Sequence, residues 1–460
     1  MKPKKMMKLG IPQGLPLQIA KTCIESAKNC GMASDEIDDL LKDLKKRPHT
    51  YLKDPNFKEL AKAIIEADHP ELEIKPRKHG ENMAPWKQWG DNLEHEAIEQ
   101  MRNACSLPVS VVGALMPDAH SGYGLPIGGV LAVKNAIIPF GVGMDIACRM
   151  KLSVLDIHPE EIENNQDRFI KAIDSETRFG VGSSFRKRRQ HDVMDEDWNF
   201  SSLTKRLKNK AWEQLGTSGS GNHFVEFGIL HLRTGEMGLA PGEYLAFLSH
   251  SGSRGSGAEI ATYYSKLASQ RHPGLPRHLS KLAWFDLDSA DGQAYWKSME
   301  LMGKYAAANH ELIHRYVSEH LGVRIIGGVE NHHNFAWKER FGNEDLIIHR
   351  KGATPAGEGI LGMIPGSMAA PGYVVVGRGN PESLNSAAHG AGRLMSRTEA
   401  KKRYKWSDAL RVLDSKGIRV LSAGIDEVPM AYKDIDIVMA AQEDLVSIVA
   451  RFDPKLVKMD

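Results

Sequence analysis

The chain carries almost no net charge, +2 at neutral pH over 460 residues, so its overall balance points to no polyanionic partner. Cysteine is scarce: Cys23, Cys30, Cys105 and Cys148, none in a Cys-x-x-Cys pair. Four in a chain of this length make no disulfide framework, and a reduced, cytoplasmic setting is expected. No apolar run reaches the roughly 18 residues that a membrane span requires, so no contact with a membrane is expected. The opening "MKPKKMMKLGIPQG" is basic but has no apolar stretch behind it, which argues against a secretory signal. Internal repeats and low-complexity tracts are missing too. What remains is the composition of an ordinary globular protein, 42% apolar and 26% charged.

Two textures divide the chain. In residues 1–75, Ile37, Leu40, Leu41 and Leu44 follow the spacing of one helix face, with Ser34 or Asp35 as a candidate cap. Phe57, Leu60, Ala61, Ile64 and Ile65 repeat the pattern, and "ADHPELEIKPRKHGE" then reads as a linker. This part shows no chemistry and reads as a helical extension for packing or partner binding. From about Val109 onward, short β-branched runs such as "VSVVGALM", "YLAFLSH" and "GYVVVG" alternate irregularly with helical stretches and Gly-rich loops. That pattern predicts one large α+β domain over 76–460, with layered mixed sheets and functional loops at strand ends. Local charge is uneven: "FRKRRQ" (185–190) and "AKKRY" (400–404) are basic clusters, read either as solvated faces or as polyanion contacts.

Six segments carry candidate chemistry. "MPDAHSGYG" holds Asp118 and His120, and "GVGMDIACRM" holds Asp145 and Cys148. "GTSGSGNHFVEF" brings Asn222, His223 and Glu226 behind a glycine-serine loop; on a helix or tight turn, His223 and Glu226 would share a face. "LSHSGSRGSG" ends an apolar run at His250 and carries Arg254 in a second such loop. Loops of this type expose successive N–H groups suited to phosphate. "VENHHNFA" offers His332 or His333, and "NSAAHGAGRLMSR" sets His389 beside Gly390, Gly392 and Arg393, a possible nucleophile or phosphate contact. Each segment alone has a bland reading as turn or core. Together they supply carboxylate, imidazole and thiolate, a mixed donor set suited to Mn, Fe, Co or Zn. A thiolate can bridge two ions, and two close divalent ions make a phosphoryl-transfer site. The residues alone therefore point to a two-metal enzyme that handles phosphate.

The ordered stretches "MPDAHSGYGLPIGGV", "GVGMDIAC", "GSGNHFVE", "HSGSRGSG", "HHNFA", "HRKGATPA", "PGSM", "HGAGRLMSR" and "DEVPMAYKDIDIVM" resemble the RtcB-type RNA ligases, the tRNA-splicing ligase family, from about residue 80 to the C-terminus. The resemblance implies that family's distinctive α+β fold. It implies GTP and two Mn²⁺ as cofactors and RNA as substrate. The reaction would join a 3′-phosphate or 2′,3′-cyclic phosphate end to a 5′-hydroxyl through a histidine–GMP intermediate. It implies Asp145, Cys148 and His223 around one Mn²⁺ and Cys148, His250 and His333 around the other. His389 would be the nucleophile, with Asp118 and Arg393 tied to activity. The implied guanine-nucleotide contacts are Asn222, His223, Phe224, Val225, Glu226, His333, Asn334, Pro365, Gly366, Ser367, Met368, His389, Gly390, Ala391, Gly392, Tyr432 and Lys458.

Three positions depart from the family pattern. Arg149 stands where members commonly have glycine, and Gly372 where they often have serine. The C-terminus reads "LVKMD" in place of Lys-Gly. Two competing readings are a two-metal phosphoesterase that opens cyclic phosphates without sealing, and an inactive RNA-binding relative. The second predicts lost ligands, and none is lost; the first leaves His389 and Lys458 without a purpose.

Overall fold

The computed structural model describes residues 1–12, 15–29, 31–52, 54–67 and 83–460. Cys30 and nearly all of the expected linker lie outside them. The chain divides into two compact units: Met1–Lys75 with Gln270–Leu275, and Pro76–Ser269 with Pro276–Asp460.

The first unit is helical, with helices Pro3–Lys8, Leu15–Asn29, Ser34–Lys46 and Lys58–Ala67. Ile37, Leu41, Leu44, Phe57, Leu60 and Ile64 close a small core together with Met6, Ile11 and Ile24. The spacing of apolar residues thus does what it suggests. The cap of the third helix lies one residue before the expected pair: Ala33 is the N-cap, and the Glu36 carboxylate accepts its N–H at 3.0 Å.

The second unit is built on two sheets. The larger runs in the order Leu361–Ile364, Gly372–Gly377, Val446–Met459, Phe224–Leu232, Gly242–Ser251, Arg149–Leu155, Ile325–His332, and Arg419–Ser422 pairs alongside Val446–Met459. All of its pairings are antiparallel except that last one. The smaller sheet runs Trp86–Gln88, Ser110–His120, Ile127–Val133, Glu344–Lys351, Asn334–Phe341. Period-2 alternation sorts the large sheet's side chains into two faces. Val225, Phe227, Leu245 and Phe247 pack against helices Gln166–Glu176 and Ala290–Leu321, through Phe169, Ile173, Ile313 and Val317. Leu230, Ala246, Leu248, Leu152 and Phe452 fill the opposite face. A third cluster joins the sheets, with Met116, Val130 and Ile348 of the smaller against Tyr373 and Val375 of the larger. This is the layered α+β architecture expected. Truncating a ring such as Phe227, with no exposed surface, to alanine would cost about 3–5 kcal/mol.

Candidate active site

Strand ends of both sheets meet around a cavity of about 720 Å³. The Asp145 and Cys148 loop ends at Arg149–Leu155, with Ala147 in the left-handed region (φ 56°) and its N–H donated to Asn334 O at 2.7 Å. His333 N–H returns the contact to Cys148 O at 3.0 Å. Backbone pairing therefore clamps the Asp145–Cys148 and His333–Asn334 segments together. His250 ends its strand facing the same point, and His223 arrives at the end of the glycine-serine run.

Cys148 Sγ lies 3.3 Å from His223 Nε2 and 3.1 Å from His250 Nε2. His250 Nε2 is 3.3 Å from His333 Nε2, and His223 Nε2 is 2.9 Å from Asp145 Oδ2. Two groups of donor atoms result, Asp145–Cys148–His223 and Cys148–His250–His333, and they share the sulfur. The donor set fits a pair of divalent cations. His250 Nδ1–H donates to Asn222 O at 3.0 Å, which turns the Nε2 lone pair toward the cluster. His333 Nδ1 is buried without a partner. Burial, reinforced by the Asp145 carboxylate, holds the Cys148 thiol well above its usual range. Burial likewise pushes His250 and His333 well below theirs. Burial pushes Asp145 upward, but His223 and Arg254 outweigh it and keep the carboxylate ionised. The imidazoles and the carboxylate thus stand unprotonated, while the thiol holds its proton until a cation displaces it. Glycine is required at 252, where an added Cβ would lie 2.3 Å from Asp145 Oδ1.

His389 borders the same cavity beside the donor cluster, its ring centroid 4.8 Å from that of His333. Its Nδ1–H donates to Asp118 Oδ2 at 2.6 Å, and its backbone N–H reaches the same oxygen at 3.2 Å. Asp118 is fully buried, and Lys433 Nζ brackets it by donating to Pro117 O (3.0 Å) and Ala119 O (2.8 Å). With Nδ1 donating to a carboxylate, Nε2 keeps its lone pair and is left as an acceptor. Asp118→Asn would present an amide in place of that acceptor and unsettle the tautomer. Reaction at His389 should fall by about 10² or more with metal content unchanged, measured by single-turnover kinetics and elemental analysis.

Most of the residues expected at the site converge here. Asn222, Phe224, Glu226, Asn334, Pro365, Gly366, Ser367, Met368, Gly390, Ala391, Gly392, Arg393 and Tyr432 border the cavity with Asp145, Cys148, His250, His333 and His389. Several hold positions that residue type alone does not disclose. The Asn334 amide donates to Asp145 O at 3.2 Å and accepts from Gly352 N at 2.8 Å, so it braces the loops. All three Arg393 nitrogens are engaged, with Met395 O, Asp426 O and Glu427. Arg393 thus anchors a network with Tyr432, Arg397 and the buried Glu427. Burial alone pushes Glu226 up to about 8.

At several positions the structure departs from the sequence reading. His223 and Glu226 share no helix face, because the glycine run leads into the strand Phe224–Leu232, whose even-numbered Phe224 and Glu226 face the cavity. Val225 and Lys458 do not border the cavity. They are register partners on the helix-facing side, where Lys458 Nζ meets Asp174 at 2.7 Å. Lys458 would share the face of Phe452 but for a register shift between Pro454 and Leu456, which reverses the alternation and turns Val457 and Met459 inward. The Arg149 side chain also turns away from the metal ligands, pairing with Glu330 on the opposite face. At Gly372, the space for a side chain is filled by Met363 Cε, 2.4 Å from an added Cβ. Residue type failed to flag Lys351, Arg397, Glu427 and Met459, which also border the cavity. Lys351 was the nearest to legible, since a lysine ending the strand "LIIHRK" can be buried only if its ammonium is bound, and here it donates to Tyr123 O and Leu125 O.

Two donor groups that share one cysteine sulfur, with a carboxylate-braced histidine on the wall of the same cavity, form the kind of arrangement that suits metal-assisted phosphoryl chemistry. The family model described as tRNA-splicing ligase RtcB matches residues 100–202 and 195–459, and the chain belongs to that family. It is 34% identical over 397 residues to RNA-splicing ligase RtcB of Escherichia coli K12, covering 80% of this chain and 95% of that protein. It is 32% identical over 437 residues to tRNA-splicing ligase RtcB of Nanoarchaeum equitans, covering 78% and 91%. The Archaeoglobus fulgidus tRNA-splicing ligase RtcB is 29% identical over 434 residues, covering 78% and 88%. Among the described residues, no helix is long and apolar enough to cross a membrane.

Proposed function

We propose that the chain is an RNA ligase that joins a 3′-phosphate or 2′,3′-cyclic phosphate end to a 5′-hydroxyl, using GTP and Mn²⁺ and a GMP adduct on His389. Family membership supports RNA ligation. The observation that carries the adduct is His389 Nε2, left as an acceptor by Asp118 beside the cluster of Cys148, His250 and His333.

Mn²⁺ held by the two donor groups would neutralise phosphoryl charge. The remaining work falls to the chain. Asp118 orients His389 for in-line attack on the GTP α-phosphorus; the Nε2–P bond forms and pyrophosphate leaves. The Glu226 carboxyl, deep in the cavity, suits the guanine N1–H and amino donors, and binding them favours its ionised form. Water adds to the phosphorus of a cyclic phosphate and the P–O2′ bond breaks, leaving a 3′-phosphate; an oxygen of that phosphate attacks the GMP phosphorus and the His389 Nε2–P bond breaks. The 5′-hydroxyl oxygen then attacks the phosphorus of the RNA 3′-phosphate, the new phosphodiester bond forms, and the bond to GMP breaks so that GMP departs. A phosphoesterase without sealing would leave the His389–Asp118 pair idle, so it is the weaker reading.

GTP labelled at the α-phosphate should leave alkali-stable, acid-labile label on the denatured protein, and γ-label should not stay. Retention of γ-label would point to a phosphohistidine enzyme instead. The extension is proposed to lie outside the catalytic machinery. A chain beginning at residue 76 should therefore form the adduct at a rate within about threefold of the full chain; a folded but unreactive truncated chain would contradict that division.

A further inference from the structure

We infer that the loop of residues 181–187 is a docking arm for the phosphate backbone of single-stranded RNA, with Arg186 and Lys187 as its phosphate contacts. The inference rests on the reading of the chain as an RNA ligase.

The root of the loop is tied to the wall of the cavity. Phe179 forms a parallel bridge with Gly219, Gly180 N–H donates to Gly219 O at 2.8 Å, and Ser218 N–H donates to Arg178 O at 2.8 Å. Asn222, three residues beyond Gly219, borders the cavity and holds His250 through its carbonyl. The loop therefore leaves the protein at the same glycine-serine run that delivers His223 to the cation site.

The four consecutive cations at 186–189, two in the loop and two just beyond it, are not equivalent. Arg189 is buried, donating to Gly216 O and Glu176, with its guanidinium 3.7 Å from the Phe185 ring centroid and 4.2 Å from that of Tyr316. Arg178 covers Phe185 from a second direction at 4.8 Å and reaches the last carbonyls of helix Gln166–Glu176. Arg188 is held by Asn209 at 3.0 Å and Glu213 at 2.7 Å. These contacts fix the loop's course from both ends. Arg186 and Lys187 lie between the anchors, exposed, and make no ion pair or hydrogen bond among the described residues. Val181 at the tip is 94% exposed, an apolar face suited to a ribose or base edge.

A pinned loop that holds two unpaired cations outward costs electrostatic repulsion unless an anion relieves it. Arg188 and Arg189 account for the structural need, so Arg186 and Lys187 remain for a ligand. Spacing by one residue on an irregular loop suits neighbouring phosphates of a flexible strand. An A-form duplex is gripped across a broad minor groove, which a single loop does not span. The reaction acts on strand termini, so a single strand must thread past this rim.

The test is binding of the full-length protein to a fluorescent single-stranded RNA 12-mer with a 3′-phosphate, over a series of KCl concentrations. Compared are the wild type, the reversal Arg186→Glu with Lys187→Glu, the swap Arg186→Lys with Lys187→Arg, and the exposed control Lys266→Glu. The reversal should weaken binding at least tenfold at low salt. It should also lower the slope of log affinity against log salt by about 1.4, at about 0.7 per single-strand phosphate. The swap should bind within about threefold of wild type, and GMP-adduct formation should be unchanged in all variants. Reversal that binds like wild type, or no more weakly than the Lys266 variant, overturns the arm. So does reversal that abolishes the adduct, which would make these residues structural. If wild-type RNA binding depends on Arg186 and Lys187 but no adduct ever forms, the arm stands and the ligase reading falls.

Discussion

Cys148→Ser is expected to lose both cations together. The sulfur belongs to both donor groups, 3.3 Å from His223 and 3.1 Å from His250, so no other single ligand change reaches both sites. A serine hydroxyl stays protonated near neutral pH and is a poor substitute for thiolate. Residues one step behind a metal ligand already cost 10–100-fold in affinity, so affinity for both ions should fall by more than about 100-fold. Adduct formation and sealing should disappear with it. The fold should persist, because the loop is held by the Ala147–Asn334 and His333–Cys148 backbone bonds, which a serine leaves in place. Elemental analysis and circular dichroism check the two halves. Loss of one equivalent of metal with the other retained would show that the sulfur serves only one site. Cys23→Ser should change neither quantity, since Cys23 sits in the core of the helical unit.

His389→Ala should abolish transfer of α-label to protein, with sealing of a 3′-phosphate to a 5′-hydroxyl reduced at least about a thousandfold. Metal content should stay near wild type, since His389 is in neither donor group. The same variant should still seal an RNA supplied with a preformed 3′-diphosphoguanosine end, because that substrate enters after the step that needs the nucleophile. Recovery there, measured on a denaturing gel, separates a lost nucleophile from a collapsed cavity. If α-label persists in His389→Ala, another group carries the GMP.

Much of this site was legible in residue types and their order. Carboxylate, thiol and imidazoles at the ends of β-branched runs predict ligands at strand ends, but residue type left His332 and His333 open; only the family resemblance chose His333, and the structure gives the reason, since His332 lies on the Arg149 side of the sheet. The layers were legible too, because period-2 and helical spacings are local. What escaped depends on events that spacing cannot register. The shift at Pro454 reverses the facing of everything after it, and so removes Lys458 from the cavity while bringing in Met459. Arg149 reads as a neighbour of the metal ligand Cys148, yet one residue along a strand is the opposite side of a sheet. Glu427 and Arg397 are ordinary charged residues in sequence, and their role emerges only where they close a network with Arg393 and Tyr432. Half of the basic cluster at 185–190 proved to be internal bracing, which a charge count cannot distinguish from an open surface.

The central claim concerns the origin of the phosphate that joins two RNA strands. A 3′-phosphate oxygen is anionic near neutral pH and can take GMP from His389, whereas a 3′-hydroxyl has a far higher pKa and would leave no activated phosphate for a 5′ end to attack. The direct test is sealing of an RNA whose 3′-phosphate is isotopically labelled to a 5′-hydroxyl RNA, with Mn²⁺ and GTP, followed by nuclease digestion of the junction. The account predicts that the label is recovered in the new phosphodiester, and that a 3′-hydroxyl facing a 5′-phosphate stays unsealed. Junction phosphate derived from a 5′-phosphate, or sealing that proceeds without GTP, would contradict it.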